Sequence, residues 1–262
     1  MFVNRLLRRL TGNYPACRKV EVLSDDIFLV SYPRSGNTWL RFMLGKLIYH
    51  IGMDFINKED IIPDIYKNSN KQLKKIKSPR IIKSHEPFDA RYHKVIYIYR
   101  DPRDVLISYY KWFQKYRDYN KGLDDFINKF IDGTLDNYGC WNKHVTGWIN
   151  AFENKDNLLI LRYEDIRDDT YGELSRILEF LDLERSEQEI NDSILWASAN
   201  KMSALEKKQE DVSIELKNSR KNIKFVRDGN GQGWRSILKD IQKTKLYNAF
   251  GDVLVQLDYQ LL

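Results

Sequence analysis

At 262 residues the chain is long enough for one α/β domain, close to the size at which a single core stops growing. Hydrophobic residues make up 42% and aromatics 13%, enough for a packed interior and against wholesale disorder, and the two cysteines (Cys17, Cys140) and four scattered histidines form neither a disulfide framework nor a metal cluster. The net charge of +6, with acidic residues interleaved among the basic ones, suits an anionic ligand and lacks the concentrated basic stripe of a nucleic-acid binder.

Residues 1–25 read as a basic and apolar N-terminal segment, with a domain over 26–262. Met1 to Leu10 carry Arg and Leu at helical spacing without the long apolar stretch of a secretory signal, so a terminal helix lying on the domain is expected, with a membrane-surface contact as the other reading. No run approaches ~20 uninterrupted apolar residues, and a reducing, cytoplasmic setting is expected. Ile27 to Val30 then form a short continuous apolar run, the signature of a strand buried on both faces of a parallel sheet. Pro33 and Gly36 break the chain inside a polar loop, and Trp39, Leu40, Phe42, Met43, Leu47 and Ile48 resume at helical spacing. Strand, tight polar loop and helix N-terminus make an anion site, because unpaired backbone N–H groups and the positive end of the helix dipole face the loop. The loop is not a nucleoside-triphosphate loop: its first glycine is missing and Asn37 stands where the lysine would be.

Residues 52–79, polar and lysine-rich, read as a surface excursion. A second strand is expected at 79–85, ending in Lys83-Ser84-His85, and the clearest one at Val95 to Tyr99, closed by Arg100-Asp101-Pro102-Arg103-Asp104. Pro102 starts a helix carrying Val105, Ile107 and Ser108. Residues 117–155 read as mainly helical, 157–161 as a fourth strand leading to Arg162-Tyr163-Glu164-Asp165, and 170–182, 187–196 and 199–210 as helices. Residues 211–224, charged and with little apolar pattern, read as mobile, and the tail from Lys243 returns to helical periodicity. Strands alternating with helices predict a single-domain α/β fold, a mostly parallel central sheet flanked by helices. Ligands bind beyond the carboxyl ends of such strands, and the polar clusters Arg34/Ser35, Lys83/His85, Arg100/Arg103 and Tyr163/Glu164 each follow a strand.

Five segments, in order, resemble the soluble PAPS-dependent sulfotransferases. Tyr32-Pro-Arg-Ser-Gly-Asn-Thr-Trp39 resembles their 5′-phosphosulfate loop, and Arg100-Asp-Pro-Arg-Asp-Val-Leu-Ile-Ser108 their 3′-phosphate element. Pro79 to His85 is similar to the segment bearing their catalytic lysine and histidine, and Leu161 to Asp165 and Phe225 to Arg235 match two later segments. The resemblance implies the P-loop-like sulfotransferase fold. It also implies 3′-phosphoadenylyl sulfate (PAPS) as donor, 3′-phosphoadenosine 5′-phosphate (PAP) as product, and a hydroxyl or amine of a small-molecule, glycan or peptide acceptor. Sulfuryl transfer of this kind needs no metal.

On this resemblance Arg34, where the family usually has lysine, stabilises charge on the 5′ phosphate without lending a proton. Ser35, Gly36, Asn37 and Thr38 cradle that phosphate, and Trp39, Tyr163 and Ser198 lie near the adenine. Arg100, Ser108, Arg227 and the amide of Gly229 take the 3′ phosphate. His85 is the candidate general base, since an imidazole of pKa about 6.5 accepts a proton near neutrality, and Lys83, two residues earlier, points to the same side of an extended chain. Phe88, Trp112 and Trp141 are expected to wall the acceptor pocket. Asp228, Ala199 and Gln232 depart from the family pattern. Two other readings stay open, a non-catalytic binder of the same nucleotides and a P-loop nucleotide kinase. The oligomeric state is open.

Overall fold

The four apolar runs lie side by side in one parallel sheet. The computed structural model describes residues 20–151, 155–226 and 233–260, so most of the 1–25 segment falls outside the described residues. Strands β1 (Ile27–Ser31), β2 (Ile81–Ser84), β3 (Lys94–Tyr99) and β4 (Leu158–Arg162) run in the order β2-β1-β3-β4. All three pairings are parallel, with Val30 opposite both Ser84 and Tyr97, and Tyr99 opposite Arg162. The register therefore brings all four carboxyl ends to one edge. Every residue of β1 is buried, as expected of a central strand covered on both faces.

Among the described residues eight helices of ten residues or more surround the sheet: α1 (Asn37–Tyr49), α2 (Pro102–Tyr116), α3 (Leu123–Asp132), α4 (Trp141–Asn150), α5 (Thr170–Leu181), α6 (Glu187–Trp196), α7 (Ala199–Gln209) and α8 (Asp240–Gln256). One core cluster joins Leu40, Met43 and Leu44 of α1 to Leu174 and Ile177 of α5 and Ile190 of α6. A second joins Val105 and Leu106 of α2 to Phe126 and Phe130 of α3, Trp141 of α4 and Phe250 of α8. The starts of β1 and β2 are tied by a buried fork: Arg80 Nε donates to Asp26 Oδ1 at 2.6 Å and Nη2 to Oδ2 at 2.9 Å.

Two expectations need correction. Residues 52–79 are not a mere surface excursion: Met53, Phe55, Ile62 and Ile65 are buried, and residue 64 pairs with Lys83 as an isolated parallel bridge beside β2. Residues 211–224 are not mobile by lack of contacts, because they hold a short helix (Ile214–Lys217) whose Glu215 accepts from Lys58 and Lys67 at 2.6 Å each. Their charges look unsatisfied along the chain and are paired across it.

Candidate active site

The loop after β1 turns on two left-handed residues, Arg34 at φ 72° and Gly36 at φ 101°. Gly36 caps α1, so the first backbone N–H groups of that helix face the loop. A Cβ on Gly36 would stand 2.5 Å from Cδ2 of Tyr163, so the position excludes a side chain by conformation and by contact. Asn37 Nδ2 donates to the Leu29 carbonyl (3.2 Å) and to Ser31 Oγ (3.3 Å), stapling the helix start to β1. Ser35 is fully buried and its Oγ has no partner among the described residues. Thr38 and Trp39 follow in the first turn of α1. Gly36→Ala should cost about 1–3 kcal/mol of stability and displace the Tyr163 ring. Urea unfolding alongside nucleotide calorimetry checks this, and an alanine variant that unfolds and binds like wild type would contradict it.

His85 follows β2, and its Nδ1 lies 2.7 Å from the carbonyl oxygen of Ser31. A carbonyl only accepts, so Nδ1 carries the proton and Nε2 presents a lone pair. Burial, and then the charge of Lys83, hold this imidazole well below the usual histidine range, so it is neutral at pH 7. The backbone beneath it is fixed by His144, whose Nε2 meets the His85 carbonyl at 3.1 Å while Nδ1 meets the Tyr97 hydroxyl at 3.0 Å. Lys83 is nearly buried, and its Nζ donates to Asp64 Oδ2 at 2.7 Å. Burial pulls the Lys83 pKa down and the Asp64 carboxylate opposes that pull.

Arg100, at the end of β3, lies with its guanidinium carbon 4.0 Å from the centre of the Tyr163 ring. It is 8% exposed, makes no ion pair among the described residues, and leaves Nε without an acceptor. The carboxylate of Asp101, one candidate partner, is taken by Arg103, whose Nε and Nη2 donate to it at 2.9 and 2.7 Å. Arg34 Nε donates to Ser108 Oγ at 3.2 Å, joining the first loop to α2. Trp39 packs edge-on to Tyr163 at 5.6 Å and donates its indole N–H to the Ala197 carbonyl at 3.0 Å. Ser198 caps α7, with its Oγ 3.4 Å from Lys201 N. The contacts run unbroken from His85 through Ser31, Asn37 and Gly36 to Tyr163, Arg100 and Trp39. Two buried donors without acceptors, Ser35 Oγ and Arg100 Nε, fit an anionic ligand along that path.

A sulfotransferase-domain family model matches residues 24–258. The chain belongs to the sulfotransferase family. Sulfotransferase 1E1 of Rattus norvegicus is 31% identical over 81% of this chain and 77% of its own, and sulfotransferase 2A2 of the same species 30% identical over 84% and 81%. The fold is also that of a mouse sulfotransferase solved with PAP (TM-score 0.71, 24% identity, 90% of this chain and 85% of that one) and of a retinol dehydratase solved with retinol and PAP (TM-score 0.75, 19%, 90% and 82%). The protein is thus an enzyme that transfers a sulfate group.

Around His85 this sulfotransferase does not use all the aromatics expected from sequence. Trp141 is fully buried at the start of α4, where that helix turns its apolar face to Phe250, 5.5 Å away between ring centres. It belongs to the core rather than to a pocket wall. Phe88 is 41% exposed and packs edge-on to Trp148. Trp112 lines a cleft with Arg34, Ser108, Lys115 and Phe225. The rings beside the imidazole are Tyr66, near-parallel at 6.4 Å, and Tyr138, edge-on at 5.6 Å. Neither carries a local signal, since each reaches His85 from a distant stretch of chain. Arg227, Gly229, Asp228 and Gln232 lie outside the described residues. The chain leading to them is held by Glu206, whose two oxygens accept from Phe225 N (2.7 Å) and Val226 N (2.9 Å). Ala199 opens α7 and is exposed.

Proposed function

We propose that the sulfotransferase domain, taken as 26–262, moves the sulfuryl group of PAPS to a hydroxyl, or an amine, of a small-molecule acceptor by in-line displacement, with His85 as general base. The observation carrying this reading is the fixed tautomer of His85: Nδ1 is committed to Ser31, and Nε2 is left to take the acceptor proton beside the Lys83 ammonium. The donor supplies an activated sulfuryl group on a 5′-phosphate leaving group. The acceptor oxygen or nitrogen bonds to sulfur as the bond to the bridging oxygen breaks and PAP leaves with that oxygen, and the acceptor proton passes to Nε2. Such transition states are loose, so positioning and cationic stabilisation supply most of the rate. Lys83 would hold the transferring oxygens, and Arg34, fixed by Ser108, the 5′ phosphate and bridging oxygen. Ser35, Gly36, Asn37 and Thr38 would cradle that phosphate at the start of α1. Trp39, Tyr163 and Ser198 would border the adenine, and Arg100, Ser108, Arg227 and Gly229 the 3′ phosphate.

PAP in the mouse sulfotransferase and the retinol dehydratase supports the choice of nucleotide. No helix among the described residues is long and apolar enough to cross a membrane, which fits the cytoplasmic setting proposed for it. The test is a screen of phenols, alcohols, sugars, amines and peptides with labelled PAPS, run beside ATP and magnesium. Label should pass from PAPS to at least one acceptor and not from ATP. With that acceptor, activity should hold at neutral pH and fall only as pH drops through a midpoint below 6.5, because His85 must be neutral and its pKa is lowered. A midpoint above 6.5 would contradict the assignment of the base.

A further inference from the structure

Lys83 is gripped from one side by a stretch of chain that the transfer reaction has not yet called upon. Its backbone N–H donates to the Pro63 carbonyl (2.8 Å) and its carbonyl accepts from Ile65 N (3.2 Å), so residues 63–65 run beside β2 as one further parallel rung. Directly paired residues of a parallel rung put their side chains on the same face. Asp64 and Lys83 are thereby set side by side, and Asp64 Oδ2 meets Lys83 Nζ at 2.7 Å with both side chains nearly buried. The carboxylate is itself held: Oδ1 accepts from Tyr66 N at 2.9 Å, and the Asp64 N–H donates to Glu59 Oε2 at 2.8 Å. The ring of Tyr66 then spans the gap to the base, with Lys83 Nζ 5.3 Å from its centre and its hydroxyl accepting from His85 N at 3.2 Å.

Resting on the donor and lysine assignments above, we propose that Asp64 is a positioning residue: its carboxylate aims the Lys83 ammonium at the transferring sulfonate beside His85. A lysine head on a flexible four-carbon stem has no direction of its own. An ammonium has three N–H donors, and Asp64 is its one acceptor among the described residues, leaving two for sulfonate oxygens. Asp64 also decides whether the head stays charged. Arg41 of α1 and Lys67 both bear on Lys83 and, like burial, disfavour its proton; Asp64 is the carboxylate that opposes them. Glu59 is engaged by Arg41 and Lys67, and Glu86 by the hydroxyl of Tyr66. His85 feels the same pair, its proton disfavoured by Lys83 and His144 and favoured by Asp64.

The test compares PAPS with PAP, which differ by the sulfuryl group that Lys83 would hold, in calorimetric titrations across neutral to alkaline pH. Asp64→Asn should weaken PAPS about tenfold and leave PAP within about twofold. It should also move the pH at which PAPS loses its advantage over PAP to a lower value, because Lys83 then loses its proton sooner. Asp64→Glu keeps the charge and displaces it by one methylene, so that pH limit should stay in place while PAPS binding weakens. Should Asp64→Asn not fold, Asp64→Glu alone reads the proposal, and wild-type PAPS affinity in it overturns the idea. In a Lys83→Met background Asp64→Asn should change PAPS binding no further. An equal loss of PAPS and PAP, or an undiminished effect in the methionine background, would make Asp64 merely structural. Wild-type protein that binds neither nucleotide would overturn the donor assignment and this inference together.

Discussion

Replacing His85 with alanine should lower turnover about 1000-fold while PAP still binds with near wild-type affinity. The separation follows from the contacts of the imidazole. Its anchor is the Ser31 carbonyl, one residue before the loop, and its stacking partners are Tyr66 and Tyr138. None of these belongs to the proposed phosphate cradle or to the Arg100–Tyr163 pair. Alanine does leave the buried Ser31 carbonyl without its donor, which costs about 1–3 kcal/mol of stability. His85→Asn separates that cost from the chemistry, because an amide N–H can replace Nδ1–H toward Ser31 while offering no basic nitrogen at Nε2. Both variants should lose turnover to a similar degree, and the asparagine variant should unfold nearer to wild type in urea. An asparagine variant with substantial turnover would remove His85 as the base.

What the sequence discloses about this enzyme divides along a physical line. The four strands are visible because a strand buried on both faces must be apolar throughout, as Ile27 to Val30 are. Their ordered polar ends point to one edge because parallel strands joined by helices share a direction, and Lys83, His85, Arg34 and Arg100 follow from that rule. The residues that tune those groups leave no such trace. Asp64 sits in a stretch whose lysines and prolines look solvated, and its role depends on a rung formed 19 positions away. Glu215 looks like part of a loose charged segment until Lys58, 157 positions earlier, is seen beneath it. Trp141 errs in the opposite direction: it is expected in the acceptor pocket wall, and helix geometry turns it inward to Phe250. Periodicity reports burial along one element, whereas ion pairs and ring contacts between elements depend on the assembled sheet.

Arg100→Ala should weaken PAP about 30-fold and adenosine 5′-phosphate less than threefold, and it should do so without lowering the stability of the free protein. Such a combination is unusual for a residue only 8% exposed. A buried guanidinium with no carboxylate in ion-pair contact is a largely desolvated charge from which the fold gains little. Asp101 is committed to Arg103, and Glu164, which feels the Arg100 charge without an ion-pair contact to it, gives its oxygens to Asp101 N (3.1 Å) and the Tyr259 hydroxyl (2.9 Å) and lies 3.6 Å from Arg162 Nε. The stacking of Arg100 on Tyr163 returns part of the desolvation cost through a cation–π contact of about 1–2 kcal/mol. Removing the side chain therefore deletes a penalty together with the contacts that offset part of it, and unfolding in urea should show no loss of stability. Binding should have no such compensation, because on the proposed assignment Arg100 pairs with a doubly charged 3′ phosphate and adenosine 5′-phosphate has none to offer. Equal losses for the two nucleotides by calorimetry would contradict the assignment. A large drop in stability would show that the unpaired Nε marks an internal contact and not a waiting one.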